Sequence, residues 1–202
     1  MEIGFGNMLD RNQLAKIKET AFENNIPIMV DATAEYLQEM IRKNKVHHVL
    51  EIGSAVGYSA IMMCEEEDVT VTTIEKDEGR YLEAVRNVEK MHLQERIHLL
   101  HEDALEVELN ELYDLIFIDA AKAQNKKFFE RFSKNLKPNG VIVTDNMKFH
   151  GLVDQKLNEI ESKNLRQMIR KIHDYISFLQ NHPDYVTEFL DIGDGLAVSH
   201  RK

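Results

Sequence analysis

Two carboxylates and a carboxamide close a pair of apolar runs. Asp119 follows Leu115-Ile116-Phe117-Ile118, and Asp145-Asn146 follow Val141-Ile142-Val143-Thr144. Runs this short and apolar read as strands buried on both faces of a parallel sheet. Ligands of such sheets bind beyond the carboxyl ends of the strands. The three side chains therefore stand at the edge of a crevice, and their oxygens make a hard donor set suited to Mg²⁺.

A second constellation begins at Glu51-Ile52-Gly53-Ser54-Ala55-Val56-Gly57. Glycines between a strand and its helix let the backbone turn tightly and approach a ligand closely. A G-x-G-x-x-G dinucleotide fingerprint is absent, and so is the Gly-Lys-Ser/Thr of a P-loop. Glu75 closes the run Val71-Thr72-Thr73-Ile74, and Asp103-Ala104 follow a third short strand. A glycine turn, a ribose-reading acid and an adenine-reading acid on three successive strand ends fit a nucleoside cofactor without pyrophosphate.

The elements that must carry these residues alternate. Helix periodicity runs from about Asp10 to Asn25, with Leu14, Ile17, Lys18, Ala21 and Phe22 on one face. Pro27 interrupts it, and a second helix runs from Asp31, as N-cap, to about Asn44. Then come strand 46–52, helix 58–66, strand 69–74, helix 78–91, strand 97–100 and strand 113–118. Helix 122–136 follows, ended by Pro138-Asn139-Gly140, then strand 141–144. A long helical region covers 154–181. Strands 185–192 and 196–200 flank the turn Gly193-Asp194-Gly195. Repeated βα units predict an α/β fold with a doubly wound, mostly parallel, seven-stranded sheet, to which the terminal pair adds an antiparallel strand. With 202 residues and no linker or repeat, one domain spanning 1–202 is expected, its first 45 residues a helical cover.

Composition bounds the setting. No apolar stretch reaches membrane-spanning length, and the N-terminus lacks the pattern of a signal peptide. The single Cys64, in Ile61-Met62-Met63-Cys64, reads as a small buried side chain in a reducing cytoplasm. A formal net charge of −10 argues against nucleic-acid binding driven by the whole-molecule field. Two local basic faces remain: Lys122, Lys126, Lys127, Arg131, Lys134 and Lys137, and then Lys163, Arg166, Arg170 and Lys171.

The order E-x-G-x-x-x-G, strand-end Glu, Asp-Ala, Ile-Asp-Ala-Ala-Lys and Thr-Asp-Asn resembles the class I S-adenosylmethionine methyltransferases, with their Rossmann-like fold and helices on both faces. More narrowly, it is similar to the metal-dependent O-methyltransferases of the catechol and caffeoyl-CoA type. Several stretches resemble most closely the bacterial tRNA 5-hydroxyuridine methyltransferases: Ile26-Pro27-Ile28-Met29, Gly57-Tyr58-Ser59-Ala60-Ile61, Gly151-Leu152-Val153, His182-Pro183-Asp184-Tyr185 and Gly193-Asp194-Gly195-Leu196-Ala197. The resemblance implies that Met29, Glu51, Gly53, Ser59, Glu75, Asp103, Ala104 and Asp119 contact S-adenosylmethionine, with Glu75 on the ribose diol. It implies Mg²⁺ on Asp119, Asp145 and Asn146, catalysis by Asp119 and Lys122, and a homodimer. One departure is the short segment before Ile26, which carries a single clear helix where family members often have further helical cover.

Three protein ligands on an octahedral ion leave positions for two substrate oxygens and a water, so the acceptor should offer vicinal oxygens. The leading expectation is transfer to the 5-hydroxyl of 5-hydroxyuridine in the tRNA anticodon loop; the alternative is a small catechol or phenol. Net charge favours the alternative, and likeness along the whole chain favours tRNA. For tRNA, backbone contacts would come from the Lys122–Lys137 stretch, or from Arg42, Lys43 and Lys45. Phe149 either stacks on a pyrimidine or packs in the core. Lys122 either takes the hydroxyl proton or steadies the oxyanion, unless it is simply a surface residue. His150 has no ligand role in the family, and the other histidines show no ligand spacing. A nicotinamide oxidoreductase is disfavoured by the missing third glycine, and a non-catalytic module by the clustered carboxylates.

Overall fold

A computed structural model of the chain describes residues 9–155, 158 and 160–202. Seven strands form a mixed, mostly parallel sheet in the order β3-β2-β1-β4-β5-β7-β6, with helices around it. The chain divides into two compact units, Met1–Ala104 and Leu105–Lys202.

The first unit opens with helix α1 (Arg11–Glu23), capped by Asp10, whose carboxylate accepts from the N–H groups of Asn12 and Gln13 at 3.0 Å. Leu14, Ile17 and Ala21 are buried, but Phe22, expected on their face, is 62% exposed. One residue turns a helix by about 100°, which carries Phe22 from Ala21 to the flank of the stripe. Helix α2 (Asp31–Asn44) has Val30 as its N-cap, with no side-chain cap bond. Asp31, expected to be that cap, is the first helical residue and pairs with Lys18. Strand β1 (His48–Ile52) lies parallel to β2 (Thr70–Glu75), and β2 to β3 (Ile97–His101), so Ile52 sits beside Ile74 and Glu75 beside His101. Helices α3 (Tyr58–Met63) and α4 (Glu78–Lys90) complete this unit. Cys64 is fully buried, the small buried side chain anticipated, and burial pushes its thiol up to about 12.

In the second unit, β4 (Tyr113–Ile118) pairs in parallel with β5 (Leu136–Thr144), setting Ile118 beside Thr144. The helix expected over 122–136 is broken: a 3₁₀ turn at Lys122–Gln124, helix α5 (Asn125–Phe132), then another 3₁₀ turn at Ser133–Asn135. Pro138-Asn139-Gly140, expected to end a helix, lie inside β5. They fall where the register slips, since Tyr113 faces Leu136 while Leu115 faces Val141. Such an irregularity tolerates the missing proline N–H.

The long helix expected over 154–181 is shorter. A 3₁₀ turn at Leu152–Asp154 precedes helix α6 (Lys163–Gln180), whose cap Ser162 accepts the Leu165 N–H. Ile160, Leu165, Met168, Ile169 and Ile172 pack with Phe149, Leu152, Val153 and Ile176, so this apolar face is used internally. Leu157, expected among them, lies outside the described residues. Strands β6 (Tyr185–Leu190) and β7 (Leu196–Arg201) form the hairpin anticipated around Gly193-Asp194-Gly195, and β7 runs antiparallel to β5. Among the described residues, no helix is long and apolar enough to cross a membrane.

Candidate active site

Paired registers bring the acidic strand ends together. Because Ile118 and Thr144 are neighbours, Asp119 and Asp145 emerge side by side, and the Asp145 N–H donates to the Ile118 carbonyl at 3.1 Å. Asp119 Oδ1 accepts from Lys122 Nζ at 2.8 Å and from Asn146 Nδ2 at 3.0 Å. Asp145 Oδ1 accepts the Asn146 N–H at 2.6 Å. Asn146 is left-handed, with φ 62°, a conformation asparagine tolerates well. The sequence-anticipated trio and Lys122 therefore form one cluster.

Its electrostatics are unbalanced. Asp145 is 3% exposed, and burial, then the neighbouring Asp119 charge, push its carboxyl up to about 7. Among the described residues, Lys122 is the lysine on the two carboxylates, and the Asp194 charge adds to theirs. A buried negative excess with two carboxylate groups and an amide is a donor set that fits a hard divalent cation. The Asn146 amide turns its NH₂ toward Asp119; half a turn about its last torsion would present oxygen instead.

The first unit holds the glycine turn. Gly53 has φ 97° and Gly57 φ 81°, and a Cβ on Gly57 would lie 3.3 Å from the Ala84 Cβ. Ala55, not anticipated as a site residue, is also left-handed at φ 45°. Its N–H donates to Glu75 Oε2 at 2.9 Å, while Glu75 Oε1 accepts the Asp77 N–H at 2.9 Å. Glu75 thus ties the turn to the end of β2. Glu51 is fully buried and accepts the Thr73 hydroxyl at 2.5 Å. Met29, Ser59 and Ala104 are buried as well.

Other expected residues lie elsewhere. Phe149 packs against the Ile160, Ile169 and Ile172 cluster, the core reading of its two alternatives. His150 is 80% exposed at its side chain and faces Asp194, 3.5 Å from its carboxylate. Much of the basic stretch has acidic neighbours: Lys137 lies 2.9 Å from Asp114, Arg131 3.2 Å and Lys134 4.0 Å from the same Glu108, and Lys126 4.0 Å from Glu130, beside the Lys122–Asp119 pair. Of the alternative face, Arg42 pairs with Glu66 and Lys43 with Glu39.

Comparison with known proteins decides the family. Residues 6–202 match the O-methyltransferase family model. The chain belongs to the O-methyltransferase family. It is 25% identical over 207 residues to a caffeoyl-CoA O-methyltransferase of Populus kitakamiensis, covering 95% of this chain and 87% of that one. Among solved structures, a Staphylococcus aureus protein described as a caffeoyl-CoA O-methyltransferase is 40% identical, with a TM-score of 0.88 over 94% of this chain and 92% of that one. A Bacillus cereus O-methyltransferase crystallised with S-adenosylhomocysteine is 26% identical, with a TM-score of 0.80 over 96% of this chain and 92% of that one.

Proposed function

We propose that this O-methyltransferase takes its methyl group from S-adenosylmethionine and places it on a hydroxyl of a small phenolic acceptor carrying a second oxygen on the adjacent carbon. The observation that carries the reading is the Asp119–Asp145 pair, a buried negative excess beside Asn146 and Lys122. A Bacillus relative crystallised with S-adenosylhomocysteine and a poplar relative named for caffeoyl-CoA support the cofactor and the acceptor class. The acids beside the basic stretch weigh the same way, because each of them repels an RNA phosphate.

When bound, S-adenosylmethionine would supply an electrophilic methyl group: the acceptor oxygen would bond to that carbon in line as the C–S bond breaks, with the thioether S-adenosylhomocysteine as leaving group. Asp119, Asp145 and Asn146 would hold Mg²⁺, which when bound lowers the pKa of the acceptor hydroxyl and organises two adjacent oxygens. Glu75 would accept the ribose hydroxyls while keeping the glycine turn in place through Ala55. Gly53, Ser59, Asp103, Ala104 and Met29 would line the same cofactor half-site. Lys122, held 2.8 Å from Asp119, would take the acceptor proton or steady the oxyanion.

A second reading, 5-hydroxyuridine of tRNA, keeps the same chemistry and is favoured by stretches such as Gly151-Leu152-Val153 and Gly193-Asp194-Gly195-Leu196-Ala197. One experiment separates the two. Purified protein, S-adenosylmethionine and Mg²⁺ are offered 3,4-dihydroxycinnamate esters, a monophenol control, and tRNA bearing 5-hydroxyuridine. The small-acceptor reading expects a methylated catechol, no methylated monophenol, and loss of turnover with EDTA that Mg²⁺ restores. Methylation of the tRNA alone would replace it with the second reading.

A further inference from the structure

The segment after the acidic pair is held in an uncommon backbone. Asn146, Phe149, His150 and Gly151 all have positive φ, at 62°, 45°, 55° and 77°. Three non-glycine residues in that region within five positions persist only when their surroundings over-determine them. Here the surroundings are the β6–β7 turn. The Met147 N–H donates to the Gly195 carbonyl at 2.9 Å, and the Lys148 N–H to the Asp194 carbonyl at 2.8 Å. Lys148 Nζ reaches Asp191 Oδ1 at 2.5 Å.

The tightest tie from the turn to the far end of the loop is a side chain. Asp194 Oδ1 accepts the His150 N–H at 2.7 Å, and Asp194 Oδ2 lies 3.5 Å from His150 Nδ1. The turn is shaped for this contact. Gly195, at φ 85°, leaves room that a Cβ would take from Lys148, whose Cγ would be 2.8 Å away and whose backbone nitrogen 3.1 Å. Asp194 is largely shielded, with its side chain 16% exposed.

We propose that Asp194 is a positioning residue for the acid-pair loop. Its carboxylate accepts the His150 N–H and so holds the loop 146–151, left-handed at Asn146 and at Phe149–Gly151, in the path that sets Asn146 against Asp119. The part concerning metal rests on the reading of Asp119, Asp145 and Asn146 as Mg²⁺ ligands. The part concerning the loop does not.

The test uses the full chain, first without metal. Amide exchange of 147–151 is compared in wild type, Asp194→Ala and Asp194→Asn. The alanine variant should exchange there about 10-fold faster or more, with the rest of the protein unchanged, and asparagine, which retains an acceptor oxygen, should restore protection. Asp194→Glu keeps the charge but displaces the oxygens, so it should exchange fast; it also serves if the alanine variant does not fold. Calorimetric Mg²⁺ titration should then show about 10-fold weaker binding for alanine and near-wild-type binding for asparagine, as for other partners that orient ligands. The kcat for the acceptor should fall while the affinity for S-adenosylmethionine holds. Unchanged exchange in Asp194→Ala, or equal damage from Ala and Asn, overturns the proposal. If wild type binds no Mg²⁺, the metal reading fails, and the exchange data still decide the loop.

Discussion

At the scale of residues, the chemistry of the site is a problem of charge. Asp145 rises from 3.8 to about 7 because burial and then Asp119 disfavour its ionised form. A carboxyl whose pKa is raised by folding favours the folded state most at low pH. That contribution is lost as pH climbs through about 7. Metal-free Asp145→Asn should therefore melt higher than wild type at pH 8, by roughly 1–3 kcal/mol, and the gap should close by pH 4. Calorimetric scans at the two pH values measure this. Because Mg²⁺ needs the ionised pair, its stabilisation of wild type should be larger at pH 8 than at pH 6. Lys122 is the complementary case, since its ammonium is the one cation that the described residues place on the pair. Lys122→Ala should lower kcat about 100-fold or more with little change in the acceptor KM. An unchanged rate across pH would remove it from the reaction.

At the scale of elements, the acidic strand ends were legible because a parallel sheet has few ways to arrange short apolar runs. The strand anticipated at 113–118 is the strand observed, and its pairing with β5 put Asp119 beside Asp145. Legibility failed where backbone geometry overrode local preference. Pro138-Asn139-Gly140 carries a strong signal for a helix stop, yet tertiary pairing absorbed it into a bulged strand. The 3₁₀ turn at Leu152–Asp154 and the start of α6 at Lys163 stand where one long helix was expected, and the site's support from Asp194 spans 44 residues and a hairpin register that no local pattern reveals. The bulge makes its own prediction. A Cβ on Gly140 would sit 2.7 Å from Leu136 Cδ1 and 2.9 Å from the Asp114 carbonyl oxygen, a backbone atom that cannot swing aside. Gly140→Ala should cost about 1–3 kcal/mol in urea unfolding. Gly151→Ala, with open space around its Cβ and only its positive φ to oppose it, should cost less.

At the scale of the molecule, the remaining choice is between acceptors, and charge is the instrument that separates them. A chain of net charge −10 attracts polyanions only through local cations. The stretch best placed for that role spends Lys122, Lys126, Arg131, Lys134 and Lys137 on acidic partners. An exposed ion pair is worth little in stability, so its loss is tolerable, but each acid beside a lysine also repels a phosphate. A single-stranded RNA loop held by Z phosphate contacts loses affinity with a log–log salt slope of about −0.7Z, whereas a small neutral catechol has no such dependence. Turnover of the catechol should accordingly change by less than about twofold between 50 and 200 mM NaCl, the range over which several phosphate contacts would weaken binding by orders of magnitude. Lys126→Glu combined with Lys127→Glu should leave that turnover equally unaffected. If instead the double reversal abolishes methylation of 5-hydroxyuridine tRNA while wild type performs it with a steep salt slope, the pairs seen on this helix must open to admit RNA, and the small-acceptor reading gives way.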